Sequence, residues 1–176
     1  MKPEEEQQFR TKMLSFAATA VKARAAELAA AVIGAPAPPR STAAKKAAAG
    51  SQPKFDDVKF RVLDLANSNE PLLILTATAQ IPAGAGQKES AASNLQYLLT
   101  LIFNQDVNGD YHKVFSNVTD TQHLDVLPNY DFIDAVDADG DGRGELLFRE
   151  ASDSGSAFVI DRVIGDQLYP LFQGTL

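Results

Sequence analysis

Residues 132–148 read FIDAVDADGDGRGELLF, and their reading decides the fold class of this 176-residue chain. An acidic loop, Asp137 to Glu145, lies between two short apolar flanks, Phe132–Val136 and Leu146–Arg149. The flanks are β-branched, aromatic and brief, which predicts a strand on each side of the loop rather than a helix. Asp137, Asp139 and Asp141 alternate with small residues. Carboxylates packed this closely repel one another unless a cation neutralises them, and calcium accepts roughly six to eight oxygens at adaptable angles. Gly142 follows the third aspartate, where the chain must turn back around the ion. The Arg143 carbonyl can then point inward, and Glu145 can add a carboxylate directly or through water. The expected ligands are Asp137, Asp139, Asp141, Arg143 through its main chain, and Glu145, with Ca2+ as the ion. A helix–loop–helix hand would need a bidentate Glu at loop position twelve. That position is Phe148, so a calcium-sensing hand is disfavoured.

Working outward, the period stays near two through residues 55–176. Expected strands are Val58–Leu65, Leu72–Ile81, Leu95–Phe103, Tyr111–Val118, Leu124–Leu127, Phe132–Val136, Leu146–Arg149, Phe158–Val163 and Leu168–Phe172. Asn67-Ser68-Asn69, Asn108-Gly109 and Gly165-Asp166 mark turns, and Asn-Gly is a strong hairpin signature because both residues tolerate positive φ. Pro82–Asn94 reads as a Gly/Ala/Ser loop. The fold class is mainly β (α+β), with about nine antiparallel strands and one long N-terminal helix. The absence of intervening helices excludes a parallel α/β sheet. A meander, a sandwich and propeller-like blades all satisfy the pattern, but a closed propeller requires about four blades of four strands.

The charge divides near residue 54. Residues 1–54 hold nine Lys/Arg and four Glu, a net of +5, and residues 55–176 hold seven Lys/Arg and nineteen Asp/Glu, a net of −12. Sixteen alanines precede residue 55 and twelve of the fourteen aromatics follow it, so the core belongs to the second part. Residues 1–33 read as a helix from Pro3 to Ile33, about 45 Å long at ~1.5 Å per residue. Phe9, Met13, Phe16, Ala20, Leu28 and Val32 share a face, and Glu4–Glu6 suit the N-terminal dipole end. This helix is expected to pack on the body or on a partner, and self-association through it is one alternative. Residues 34–54, rich in Pro, Ala and Lys, read as a flexible linker. The β domain then spans 55–176, with its calcium loop at 137–145.

Several function classes fall away. The chain has no cysteine, which removes disulfides and thiol chemistry. The net charge of −7 disfavours nucleic acid and anionic membranes, and no apolar run reaches the ~18 residues of a membrane span. His112 and His123 lack a nucleophile motif such as G-x-S-x-G. Gly84-Ala-Gly86 is not followed by the Lys-Ser/Thr of a phosphate loop. Asn117-Val-Thr119 is a formal glycosylation sequon. Asp106-Val-Asn108-Gly-Asp110 has oxygen ligands at calcium-like spacing, but Tyr111 and Val114 stand where a glycine and a ligand are needed, so it reads as a plain hairpin turn. Phe55, Phe60, Phe103, Phe115, Tyr130, Phe148, Phe158 and Phe172 are expected to pack the core.

The pattern Asp137-x-Asp139-x-Asp141-Gly142-x-x-Glu145 resembles the calcium loops of FG-GAP/VCBS-type repeats, which link two strands in integrin-like propellers and many secreted bacterial proteins. That resemblance covers residues 131–150 and implies the Arg143 carbonyl as a main-chain ligand. Residues 97–172 also resemble a C-terminal domain of uncharacterised acidobacterial envelope proteins, which brings no known activity. The expectation is a non-enzymatic, calcium-stabilised scaffold or binding domain of an exported bacterial protein, periplasmic or extracellular, with a protein or surface ligand as partner. The start of the chain is acidic and carries no signal peptide, so either the protein is cytosolic or an export signal is expected outside this sequence. The alternative is a hydrolase using the metal or its neighbouring carboxylates.

Overall fold

The computed structural model describes residues 3–32, 52–68, 70–82 and 95–175. A helix, α1 (Pro3–Val32), precedes eight strands: β1 (Lys54–Leu63), β2 (Leu72–Gln80), β3 (Gln96–Gln105), β4 (Tyr111–Asp120), β5 (Asn129–Val136), β6 (Glu145–Ser152), β7 (Gly155–Ile164) and β8 (Gln167–Thr175). They form two antiparallel four-stranded meanders, β1-β2-β3-β4 and β5-β6-β7-β8. The mainly β architecture agrees with the alternating pattern. Among the described residues the strands number eight rather than nine, because Leu124–Leu127 is a turn. Val126 and Leu127 both donate their N–H groups to the His123 carbonyl, at 3.2 and 3.0 Å, which coils the segment and leaves no extended edge to pair. Most of the expected linker and the Gly/Ala/Ser loop lie outside the described residues.

The layers run helix, first sheet, second sheet. β2 reads as an almost unbroken apolar run because both of its faces are covered. Leu73, Leu75, Ala77 and Ala79 face α1, together with Tyr97, Leu99, Leu101 and Phe103 of β3. Leu72, Ile74 and Ile102 face the other way and meet Leu146 and Phe148 of β6. The helix contributes Met13, Ala17 and Val21, all fully buried, flanked by Phe9, Phe16, Ala20, Ala25 and Leu28. Its basic residues also serve the docking: Arg10 lies 5.1 Å from the Phe60 ring centroid and Lys12 lies 4.5 Å from that of Tyr111.

Bulges keep the correct side chains on the correct face. Asp57 takes φ +51°, and the register slips between Asp56 and Lys59. The extra residue lets Phe55, Val58 and Phe60 all pack on the helix side despite their uneven spacing. Val114 is the extra residue of β4, so Val114 and Phe115 both turn to the second sheet.

Three side chains on the inner face of the first sheet anchor the incoming β5 segment. Thr100 Oγ1 donates to the Tyr130 carbonyl, Asn117 Nδ2 to that of Pro128 at 3.0 Å, and Thr119 Oγ1 to that of Leu127 at 2.6 Å. These buried donors satisfy backbone acceptors that would otherwise be stranded between the sheets. Asn117 is therefore a structural residue, 4% exposed, and not an open glycosylation site. Most of the expected core aromatics pack as anticipated. Phe172 does not: it is 55% exposed, beside the Leu171 bulge that shifts the register of β8.

Candidate metal centre

The acidic loop joins β5 to β6, as its flanks predict. Gly140 and Gly142 adopt φ of +79° and +82°, a region that only glycine enters without strain. Those two left-handed steps turn their N–H groups inward. Gly140 N donates to Asp137 Oδ1 at 2.8 Å and Gly142 N to Asp137 Oδ2 at 3.0 Å. Asp141 N reaches Asp139 Oδ1 at 3.3 Å, Arg143 N reaches Asp141 Oδ1 at 2.9 Å, and Ala138 N reaches Glu145 Oε2 at 2.8 Å. The loop is tied to the body by Gly144, whose N–H donates to the Leu65 carbonyl at 2.7 Å. A Cβ at Gly144 would stand 3.1 Å from Leu65 Cδ2.

One oxygen from each of Asp137, Asp139 and Glu145 lies within 4.8 Å of the others. Asp137 and Asp139 are exposed, and Glu145 is fully buried beneath them. Asp141 sits at the margin of this group. Arg143 enters through its N–H to Asp141. Of the expected ligands, Asp137, Asp139 and Glu145 converge, while Asp141 stands at their margin and Arg143 is placed only through its N–H.

The sequence reading missed Arg162. Its guanidinium reaches across from β7 and meets three acids through Nη2: Glu145 Oε1 at 2.6 Å, Asp139 Oδ2 at 2.7 Å and Asp141 Oδ2 at 3.3 Å. Its Nε adds a second bond to Glu145 Oε1 at 3.0 Å. Glu145, and after it Asp139, push the Arg162 pKa up. The Arg162 hydrogen bond, foremost among several, holds the Asp139 carboxyl below its ordinary value. Arg162 therefore supplies part of the positive charge the loop demands, from within the protein.

The donor set still fits a hard divalent cation. Four carboxylates stand against Arg162 and the loop's own Arg143, which leaves two negative charges over. Carboxylate oxygens with backbone amides as second partners retain lone pairs for a metal. Asp137, Asp139, Asp141 and Glu145 would hold the ion.

Two other polar sites resolve as structural. Asp106 spends its carboxylate on the β3–β4 turn, accepting from Asn108 N at 2.9 Å and Asp110 N at 2.8 Å, with His112 Nε2 at 3.3 Å. His123 Nδ1 lies 2.7 Å from Asp120 Oδ1, and Asp120 is fully buried. Gly84-Ala-Gly86 lies outside the described residues. No described helix is long and apolar enough to cross a membrane. Searches of protein-family models, curated proteins and solved structures find no match to this chain.

Proposed function

We propose that this chain is a non-enzymatic, calcium-stabilised β scaffold or binding domain of an exported bacterial protein. The convergence of Asp137, Asp139 and Glu145 oxygens within 4.8 Å, at the connection between two strands, supports this reading most strongly. A divalent ion there relieves the excess charge that Arg162 leaves and locks β5 to β6. A ligand that binds only the folded state adds about 2.7 kcal/mol at a hundredfold excess over Kd. Extracellular calcium modules work at roughly 10⁻⁴–10⁻³ M, which suits the periplasm or the cell exterior. The partner on this reading is a protein or surface ligand.

A hydrolase would need a substrate cavity at the ion. The hollow beside Glu145 and Arg162 measures ≈ 210 Å³, below the ~300 Å³ where small-molecule sites begin. Self-association through α1 would have to use the face opposite Met13, Ala17 and Val21, which are already committed to the chain's own core. Calorimetric titration with CaCl₂ tests the proposal. One ion should bind per chain, and Asp139→Ala should remove most of the heat. A wild-type protein that gives no heat would reject the calcium reading.

A further inference from the structure

The two sheets part between β4 and β8, leaving an open groove of ≈ 470 Å³ lined in part by Phe115, Tyr130, Val159, Asp161, Gln167 and Gln173. No residue of the 137–145 loop lines it. Asp161 is 5% exposed, its carboxylate makes no hydrogen bond among the described residues, and its oxygens are not sealed from solvent. Ionised groups are seldom buried without a partner, because burial removes hydration that nothing replaces. Its surroundings sharpen the problem. Glu150, a second negative charge, is close enough to raise the Asp161 carboxyl further above its ordinary value, after burial itself. Burial, and then Glu150 and Asp161, raise the Tyr130 hydroxyl as well.

We propose that this groove binds a protonated aliphatic amine, with the ammonium head on the Asp161 carboxylate and the alkyl stem along the apolar wall. An ammonium is a donor with no acceptor of its own, which matches what the groove presents. Gln173 turns Nε2 to Glu150 Oε2 at 2.9 Å, leaving its Oε1 as an acceptor. Gln167 Oε1 already accepts from the Tyr169 hydroxyl at 2.9 Å. The Phe115 and Tyr130 rings, 5.4 Å apart between centroids, and Val159 line the groove and give the stem an apolar wall. Glu150 does not line the groove, so one carboxylate meets the ligand. That suits the point charge of an ammonium better than the planar fork of a guanidinium. Anions are repelled by Asp161 and Glu150 together.

Such an amine can be a free small molecule or a lysine side chain of a partner. The test titrates the full chain with n-butylammonium chloride, with n-butanol as the neutral control and an acetyl-Ala-Lys-Ala-amide peptide as the second source. The readouts are the backbone amide spectrum and the Asp161 carboxyl carbon signal. The expected result is saturable movement of amides in 159–162 and 167–173 and of the Asp161 signal, with no such movement from butanol. Asp161→Asn should weaken binding roughly tenfold or more. Tighter binding of the peptide assigns the site to a lysine, and comparable binding of butylammonium assigns it to a free amine. Equal responses to butanol and butylammonium, a response that does not saturate, or full affinity in Asp161→Asn would each overturn the proposal. The wild-type Asp161 signal decides the matter even if the variant does not fold: no movement on amine addition is fatal.

Discussion

Two Asp-rich hairpin loops in this chain look alike in sequence and differ in what neutralises them. In Asp106–Asp110, one carboxylate takes two backbone amides and a histidine, and the turn closes on itself. In Asp137–Glu145, Asp137, Asp139 and Glu145 converge with Asp141 at their margin, and backbone amides and Arg162 together leave negative charge over. The first loop is complete as protein. On the proposed reading, the second takes a divalent cation in addition to the guanidinium. Spacing of acids is thus a weaker guide than the balance between carboxylates and the donors the fold can aim at them.

The largest separation between the loops should come from paired substitutions. Asp139→Ala should weaken calcium binding by roughly a hundredfold, since ligand charge count sets affinity over several decades, whereas Asp106→Ala should leave the calorimetric titration unchanged. Equal losses would erase the distinction. Arg162→Gln comes next. It removes the internal counter-charge, so melting of the metal-free protein should fall and calcium affinity should rise several-fold, widening the gap between the two forms. A fall in calcium affinity would mean that Arg162 positions the ligands rather than competing with the ion.

Smaller effects follow from the glycines. Gly142→Ala and Gly109→Ala each place a side chain at positive φ, +82° and +85°, and should each cost about 1–2 kcal/mol in denaturant unfolding. Only Gly142→Ala should also weaken calcium binding. The smallest effect concerns pH. The amide of Asp110, foremost among the partners of Asp106, holds its carboxyl below the ordinary value. That contribution is present at neutral pH, above the unfolded carboxylate range near ~4, and fades as pH falls through the depressed value. Asp106→Asn should therefore lose stability at neutral pH relative to wild type and converge with it in acid.

Much of this arrangement can be read from residues alone. The run LLILTATAQ announces a strand buried on both faces, and the flanks of the acidic loop announce strands rather than helices. The helix stripe is legible through Phe9, Met13 and Phe16, but Ala17 and Val21 are equally central, because alanine signals no side until the packing is known. Leu124–Leu127 has the composition of a strand, yet the His123 carbonyl gathers its amides into a turn. The bulges at Asp57, Val114 and Leu171 carry no sequence mark strong enough to place them. Arg162 was within reach. The two-residue turn at Asp153-Ser154 pairs Ser152 with Gly155 and Leu146 with Asp161, and counting one step further sets Arg162 opposite Glu145. Choosing that turn over its neighbours is what requires the fold. Asp161, one residue earlier and on the opposite face of β7, shows why register matters: a slip of one residue would bring it to the acidic loop and send the arginine into the groove.

The central claim is that the 137–145 loop is completed by a divalent cation. Thermal unfolding of the wild-type chain in excess EGTA and in CaCl₂ at about a hundredfold excess over the calorimetric Kd tests it most directly. The account predicts a Tm higher by roughly 5–10 °C with calcium, the shift that about 2.7 kcal/mol produces in a domain of this size, and only about 1–2 °C for Asp139→Ala. Superimposable wild-type unfolding curves would contradict it and leave Arg162 as the cation that bridges the loop's carboxylates.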